Sequence, residues 1–174
     1  MIKDKELVQY QQPYYYTDGS GVTLEAIQQT LMDSAARYQI PVQFYSDQIT
    51  KGMVSGALGA LMGASGESCI VLHHPQHLKD YFKFAFTIGR QGTMAFVAVY
   101  SFGSSKNGKK MAFGGRAGND LKNAIFNMDP TESSKALGRA IIGGLKGLGG
   151  SKAKKQEEEM WYAAVGHIIR EVIR

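Results

Sequence analysis

Tyr81-Phe82-Lys83-Phe84-Ala85-Phe86-Thr87-Ile88-Gly89-Arg90-Gln91-Gly92-Thr93-Met94-Ala95-Phe96-Val97-Ala98-Val99-Tyr100-Ser101-Phe102 is the stretch on which the fold turns. Phe82, Phe84, Phe86 and Ile88 recur at every second position, with Tyr81, Lys83, Ala85 and Thr87 between them. Successive side chains of a strand point to opposite faces, so this alternation predicts a strand with one apolar face. Gly89-Arg90-Gln91-Gly92 supplies a turn with two glycines able to take positive φ. Met94, Phe96, Ala98, Tyr100 and Phe102 then run back, with Ala95, Val97, Val99 and Ser101 opposite. The returning strand is apolar on both faces, which places it inside a sheet. An antiparallel hairpin over residues 81–102 is therefore the nucleus of the expected fold.

Working outward, residues 68–72 form a short apolar and β-branched run, and residues 42–46 alternate, so both predict strands. Downstream, Ser104-Ser105-Lys106-Asn107-Gly108 reads as a second turn leading to an edge strand at 110–113. The sum is an α+β fold: a mostly antiparallel four- to five-stranded sheet, with an N-terminal helix and C-terminal helices packed on it. The expected organisation is an extended or mobile N-terminal arm over residues 1–22, then a single domain over 23–174. Its β-rich core spans about 41–113 and its helical part about 117–174.

The N-terminal helix is expected over 24–38. Thr23 is its N-cap, Glu25 lies in the first turn, and Val22 and Ile27 have the spacing of a hydrophobic staple. Leu24, Ile27, Leu31, Ala35 and Tyr38 share one face, and Pro41 closes the segment. Residues 47–65 have helical apolar spacing (Ile49, Met53, Val54, Ala57, Leu58, Leu61, Met62) but also Gly52, Gly56, Gly59 and Gly63. Each interior glycine costs about 1 kcal/mol, which close packing against another backbone would offset; the alternative is a mobile loop.

At the C-terminal side, a short helix is expected over 119–127. Asp129-Pro130-Thr131-Glu132 starts another, with Leu137, Ile141, Ile142, Leu145 and Leu148 inward and Gly149-Gly150 at its end. Ser151 caps a last helix, with Trp161, Val165, Ile168, Val172 and Ile173 inward. The chain stops directly after that stripe, as a fragment of a longer protein would.

The net charge of +5 is unevenly spread. Residues 103–155 hold eleven Lys or Arg against three Asp or Glu, a net +8, while the flanking regions are weakly acidic. Such a local field suits an anionic partner. Cys69 is the sole cysteine, which excludes an intramolecular disulfide and a cysteine-based zinc site. Its neighbours Ile70, Val71 and Leu72 predict a buried thiol. The charged start, Met1 to Glu6, lacks a following apolar run, so no secretory signal is expected. No apolar run approaches the roughly 20 residues needed to span a bilayer. The expected location is cytoplasmic, extending to peripheral attachment at a membrane.

Three segments could carry chemistry. His73, His74 and His77 are imidazoles that could ligate zinc or copper, with Glu67 and Asp80 adding oxygen. Pro75 breaks the helix that would align His73 with His77, and the bland reading is a polar strand end and loop. The second segment is a glycine-rich loop, Gly114, Gly115, Arg116, Gly118 and Asn119, between an expected strand and helix. Backbone N–H groups there could hold the phosphate of a CoA-like or nucleotide cofactor. It partly resembles the pyrophosphate loop of acyl-CoA-dependent acetyltransferases, but its spacing departs from that motif and helices follow where strands would be needed. It lacks the Gly-Lys-Ser/Thr ending of a Walker A loop.

The third segment is a cationic amphipathic stretch with Lys135, Arg139, Lys146, Lys152, Lys154 and Lys155, the combination an interfacial helix uses. Its bland reading is an ordinary amphipathic helix packed on the sheet and followed by a basic turn. Few aromatics interleave with these charges, so nucleic acid is the less favoured partner.

No serine or cysteine nucleophile pairs with a histidine by local motif, and no paired acids suggest a glycosidase. The favoured function is a non-enzymatic interaction or regulatory module presenting a basic surface to a membrane or an acidic protein, with no resident cofactor. The alternatives are a small transferase using the 114–119 loop and a nucleic-acid-binding protein using the 103–155 region. The glycine-bearing spans 49–62 and 137–148 could also pack on a second copy of the chain.

Overall fold

A computed structural model of the chain describes residues 1–50, 66–106 and 150–174. Its elements in chain order are β1 (Ile2–Lys3), β2 (Val8–Tyr16), α1 (Leu24–Arg37), β3 (Gln43–Thr50), β4 (Glu67–His73), β5 (Lys83–Gln91), β6 (Met94–Phe102) and α2 (Gly150–Val172). The strands form one six-stranded sheet in the order β1-β3-β4-β5-β6-β2. Every neighbouring pair is antiparallel except β1 with β3. With its helices the chain is an α+β fold.

The hairpin is as expected in kind, but its turn is shifted. Strand pairing runs from Lys83↔Phe102 to Gln91↔Met94, so Gly89, Arg90 and Gln91 belong to β5 and the loop is Gly92-Thr93. Two-residue loops match the twist of paired strands, and Gly92 supplies the positive φ of +60° that such a loop needs. Arg90 then turns its guanidinium onto the carbonyls of Gly19 and Val22, which pins the chain entering α1 to the hairpin.

At this junction the Gly19 N–H donates to the Thr93 carbonyl at 2.8 Å, and a Cβ on Gly19 would lie 2.5 Å from the Cβ of Ala95. Ala95 is fully buried, so it cannot move aside. Gly19→Ala is expected to destabilise the protein by about 1–3 kcal/mol, read as a lower urea midpoint.

Residues 1–22, expected as an extended or mobile arm, include the extended β1 and β2, both paired into the sheet. This raises the strand count above the expected four to five. Val8–Tyr16 pairs with β6 along the sheet edge, with register shifts between Gln9 and Gln11 and between Gln11 and Tyr14. Pro13 sits in the second shift, and an edge strand tolerates a residue without an N–H there. Tyr10 turns inward and meets Phe84 edge-on at 4.9 Å.

The extension of β3 to Thr50 places Ile49 in a strand, outside the helical spacing noted over 47–65. Ile49 pairs with Ile2 across the parallel contact and is buried. The remainder of that span lies outside the described residues. So do the expected strand at 110–113 and the helices expected between residues 117 and 149.

Helix α1 follows its sequence signals. Thr23 Oγ1 accepts the Ala26 N–H at 3.1 Å, and Ile27, Leu31 and Ala35 are buried. Tyr38 is the exception. The helix stops at Arg37, Gln39 takes a left-handed φ of 55°, and the Tyr38 ring stays largely exposed against the edge of His167. In α2, Ser151 lies within the helix rather than capping it, because Gly150 is already helical. Trp161, Val165, Ile168 and Ile173 are buried as expected and Val172 partly so; Tyr162 and Ile169 widen the stripe.

Both helices cover the same sheet face. Their apolar residues merge with Ile70, Leu72, Phe82, Phe84, Phe86, Val97 and Val99 into one core. Trp161 Nε1 donates to the Pro41 carbonyl at 2.9 Å, and Arg37 pairs with Glu171 at 2.7 Å. On the opposite face Ile2, Ile49, Cys69, Val71 and Ala85 form a second cluster. Cys69 is buried there, and burial pushes its thiol up to about 11, which suits an inert hydrophobe rather than a nucleophile. No described helix is long and apolar enough to cross a membrane.

Candidate functional site

The pairing of Lys83 with Phe102 sets the residues entering β5 beside those leaving β6. Segment 74–82 and segment 103–106 therefore meet at the open end of the hairpin, where Ser104 Oγ donates to the Lys79 carbonyl at 3.1 Å. The first turns of α2 complete the wall. Between the three lies a cavity of about 550 Å³, reached by His77, Tyr81, Ser105, Lys154 and Glu158.

From Ser105 and Glu158 in its wall, a hydrogen-bonded chain runs on to Tyr162 and Phe82 and so crosses all three segments. The Phe82 N–H donates to Tyr162 Oη at 2.7 Å, and the Tyr162 hydroxyl donates to Glu158 Oε1 at 2.6 Å. Ser105 Oγ donates to the same carboxylate oxygen. Glu158, Ser105 and Tyr162 are all buried, and this mutual satisfaction is what makes a carboxylate tolerable there. Burial, then donation to Glu158, pushes the Tyr162 phenol well above its ordinary range, so it stays a donor. Burial and the nearby carboxylates of Glu157, Glu158 and Asp80 push Tyr81 up to about 12.

His74 and His77 pack together with ring centres 4.7 Å apart, while the His73 ring lies against Tyr45. His73 Nδ1–H donates to the His74 carbonyl at 3.0 Å, and His74 Nδ1 accepts the Gln76 N–H at 3.1 Å. His77 Nδ1–H donates to Asp80 Oδ2 at 2.9 Å, which holds the Asp80 carboxyl below its usual range. The His77 ring stacks on Tyr81 at 4.1 Å with 7° between planes. Among the described residues no three His, Cys, Asp or Glu are grouped to hold a metal ion. Glu67, considered as an oxygen ligand, begins β4 while His73 ends it, and a seven-residue strand separates its ends by about 20 Å.

The buried His74 gives a pH expectation. Burial, then the neighbouring His77, lowers its pKa below the ordinary 6.5. Burial does the same at His167. The unfolded chain then binds protons that the folded chain refuses, so stability falls as pH drops through 6.5 toward the lowered folded values. A His74→Asn variant is expected to show a shallower decline of the urea midpoint between pH 7 and pH 5 than the parent.

Of the basic residues singled out from the sequence, Lys152, Lys154 and Lys155 stand exposed on the first turns of α2, and Lys155 pairs with Glu159 at 3.6 Å. Lys154 and Lys155 line the cavity, and Lys79 and Lys106 join them from the other two segments. Lys135, Arg139 and Lys146 lie outside the described residues, as do Gly114, Gly115, Arg116, Gly118 and Asn119.

Sequence reasoning missed Glu158, Tyr162 and Ser105. A signal for the first existed: Glu158 precedes Trp161 and Tyr162 by three and four residues, so it shares their helix face. An acid on an apolar stripe needs a partner. Nothing local marked Ser105. Compared with known proteins, the chain matches no family model, no curated protein and no solved structure.

Proposed function

We propose that the protein is a non-enzymatic interaction module whose basic surface around the start of α2 contacts an anionic partner, a membrane surface or an acidic protein segment. The supporting observation is the convergence of four exposed lysines from three segments, Lys79, Lys106, Lys154 and Lys155, with exposed Lys152 on the same first turns of α2. Lysines separated in sequence but gathered at one cavity add their fields, against which Asp80, Glu157 and Glu158 supply a smaller opposing charge. The chain would work in the cytoplasm and attach peripherally.

Sedimentation with vesicles of phosphatidylcholine and phosphatidylserine tests the reading. Binding is expected at low salt and is expected to weaken as ionic strength rises. Replacing Lys152, Lys154 and Lys155 with Gln together should lower the partition coefficient by about a hundredfold, since each basic residue near an anionic surface contributes about 1 kcal/mol. Binding to poly-glutamate but not to vesicles would select the acidic-protein version. Binding to neither would contradict the reading.

A further inference from the structure

We propose that the cavity between segments 74–82, 103–106 and the start of α2 is a binding site for a phosphate-bearing small molecule. This rests on the anionic-partner reading and narrows it to one site. The cavity's volume of about 550 Å³ lies within the range of small-ligand sites.

The charges around it are unequal in availability. Asp80 is hydrogen-bonded by His77, and Glu158 by the hydroxyls of Ser105 and Tyr162, which occupy its oxygen while leaving its charge in place. Lys79, Lys106 and Lys154 are exposed and make no ion pair among the described residues. Three ammonium groups without an ion pair among the described residues therefore line the cavity, with Glu157 and Glu158 as acidic neighbours. Ammonium groups are compact point charges with three donors each, suited to phosphate oxygens.

The walls are also held in place. The Phe82–Tyr162–Glu158–Ser105 chain ties the three segments together, and the stack of His77 on Tyr81 stiffens the loop that carries Lys79. A site whose walls are already ordered spends less affinity on ordering them. Inorganic pyrophosphate would fill only part of the volume, which leaves room for an organic portion. A soluble phosphate ester and a phospholipid headgroup share this chemistry.

The test is a titration of the ¹⁵N-labelled full chain with inorganic pyrophosphate and, separately, with monomeric dioctanoyl phosphatidic acid. A single saturable site is expected, with amide shifts confined to residues 77–82, 104–106 and 151–158. Lys154→Gln and the double variant Lys79→Gln with Lys106→Gln should each weaken binding about tenfold or more, the scale of a charge-assisted hydrogen bond. All three lysines are exposed, so these variants should fold. Lys152→Gln, outside the cavity, should leave pyrophosphate binding unchanged while weakening vesicle binding.

Tighter binding of phosphatidic acid would identify a headgroup as the source. Tighter binding of pyrophosphate would identify a soluble phosphate. Failure of both probes to saturate, or shifts spread equally over Lys3, Lys5 and Lys152, would overturn the cavity site. Vesicle binding would then decide separately whether the broader surface reading survives.

Discussion

Phe86→Ala is expected to destabilise the protein by about 3–5 kcal/mol, the range for truncating a fully buried aromatic. Phe86 has no solvent exposure and sits in an interior strand, paired with Ile70 on β4 and Val99 on β6. All three side chains belong to the core beneath the helices. Truncation would leave a void that neighbours on two strands cannot close without moving the sheet. Against the roughly 5–15 kcal/mol that holds a domain of this kind together, the loss is large. A urea titration should show a much lower midpoint at unchanged slope. A loss under about 1 kcal/mol would place Phe86 outside the core.

Tyr162→Phe is expected to cost about 2–4 kcal/mol although it removes a single oxygen. The ring would keep its contacts with Phe82, Phe84 and Trp161. What disappears is the acceptor of the Phe82 N–H and one donor to Glu158. The buried Phe82 N–H left without its acceptor costs about 1–3 kcal/mol, and the loss of one of the donors to Glu158, which keeps Ser105, adds about 1 kcal/mol. A purely apolar role for Tyr162 predicts almost no change, so the size of the effect separates the two. Hydrogen exchange gives a second readout: the Phe82 amide should exchange much faster in the variant, while amides in the middle of β5 should change only with global stability. Tyr15→Phe, at an exposed hydroxyl on β2, is the control and should be neutral.

The phenylalanine row was legible because its period of two is unbroken from Phe82 to Ile88, and burial of Phe82, Phe84 and Phe86 follows from it. The stripe of α2 was legible for the same reason at helical period. What local pattern could not show was pairing between distant residues. The parallel contact of Ile2 with Ile49 recruits β1 and extends β3, yet Ile49 also fits the helical spacing of the residues after it. Two register shifts in β2 break the alternation of its tyrosines, and Pro13 reads as an interruption unless the strand is known to be an edge.

The cavity shows the same division. Lys154 and Lys155 stood out as charges, and His77 as an imidazole. Their meeting depends on the register of β5 with β6 and on where α2 crosses the sheet. Glu158 could have been flagged from its helix face, but its partner Ser105 lies 53 residues away in the chain.

Everything proposed for the cavity requires α2 to lie across the phenylalanine row, since that placement carries Glu158 and Lys154 to the 74–82 loop. A nuclear Overhauser spectrum of the full chain tests it most directly. Ring protons of Trp161 should give cross-peaks to Tyr81 and Phe84, whose ring centres lie 5.7 and 6.1 Å away. Trp161 cross-peaks confined to α2 itself, with its indole N–H exchanging freely with water, would contradict the account.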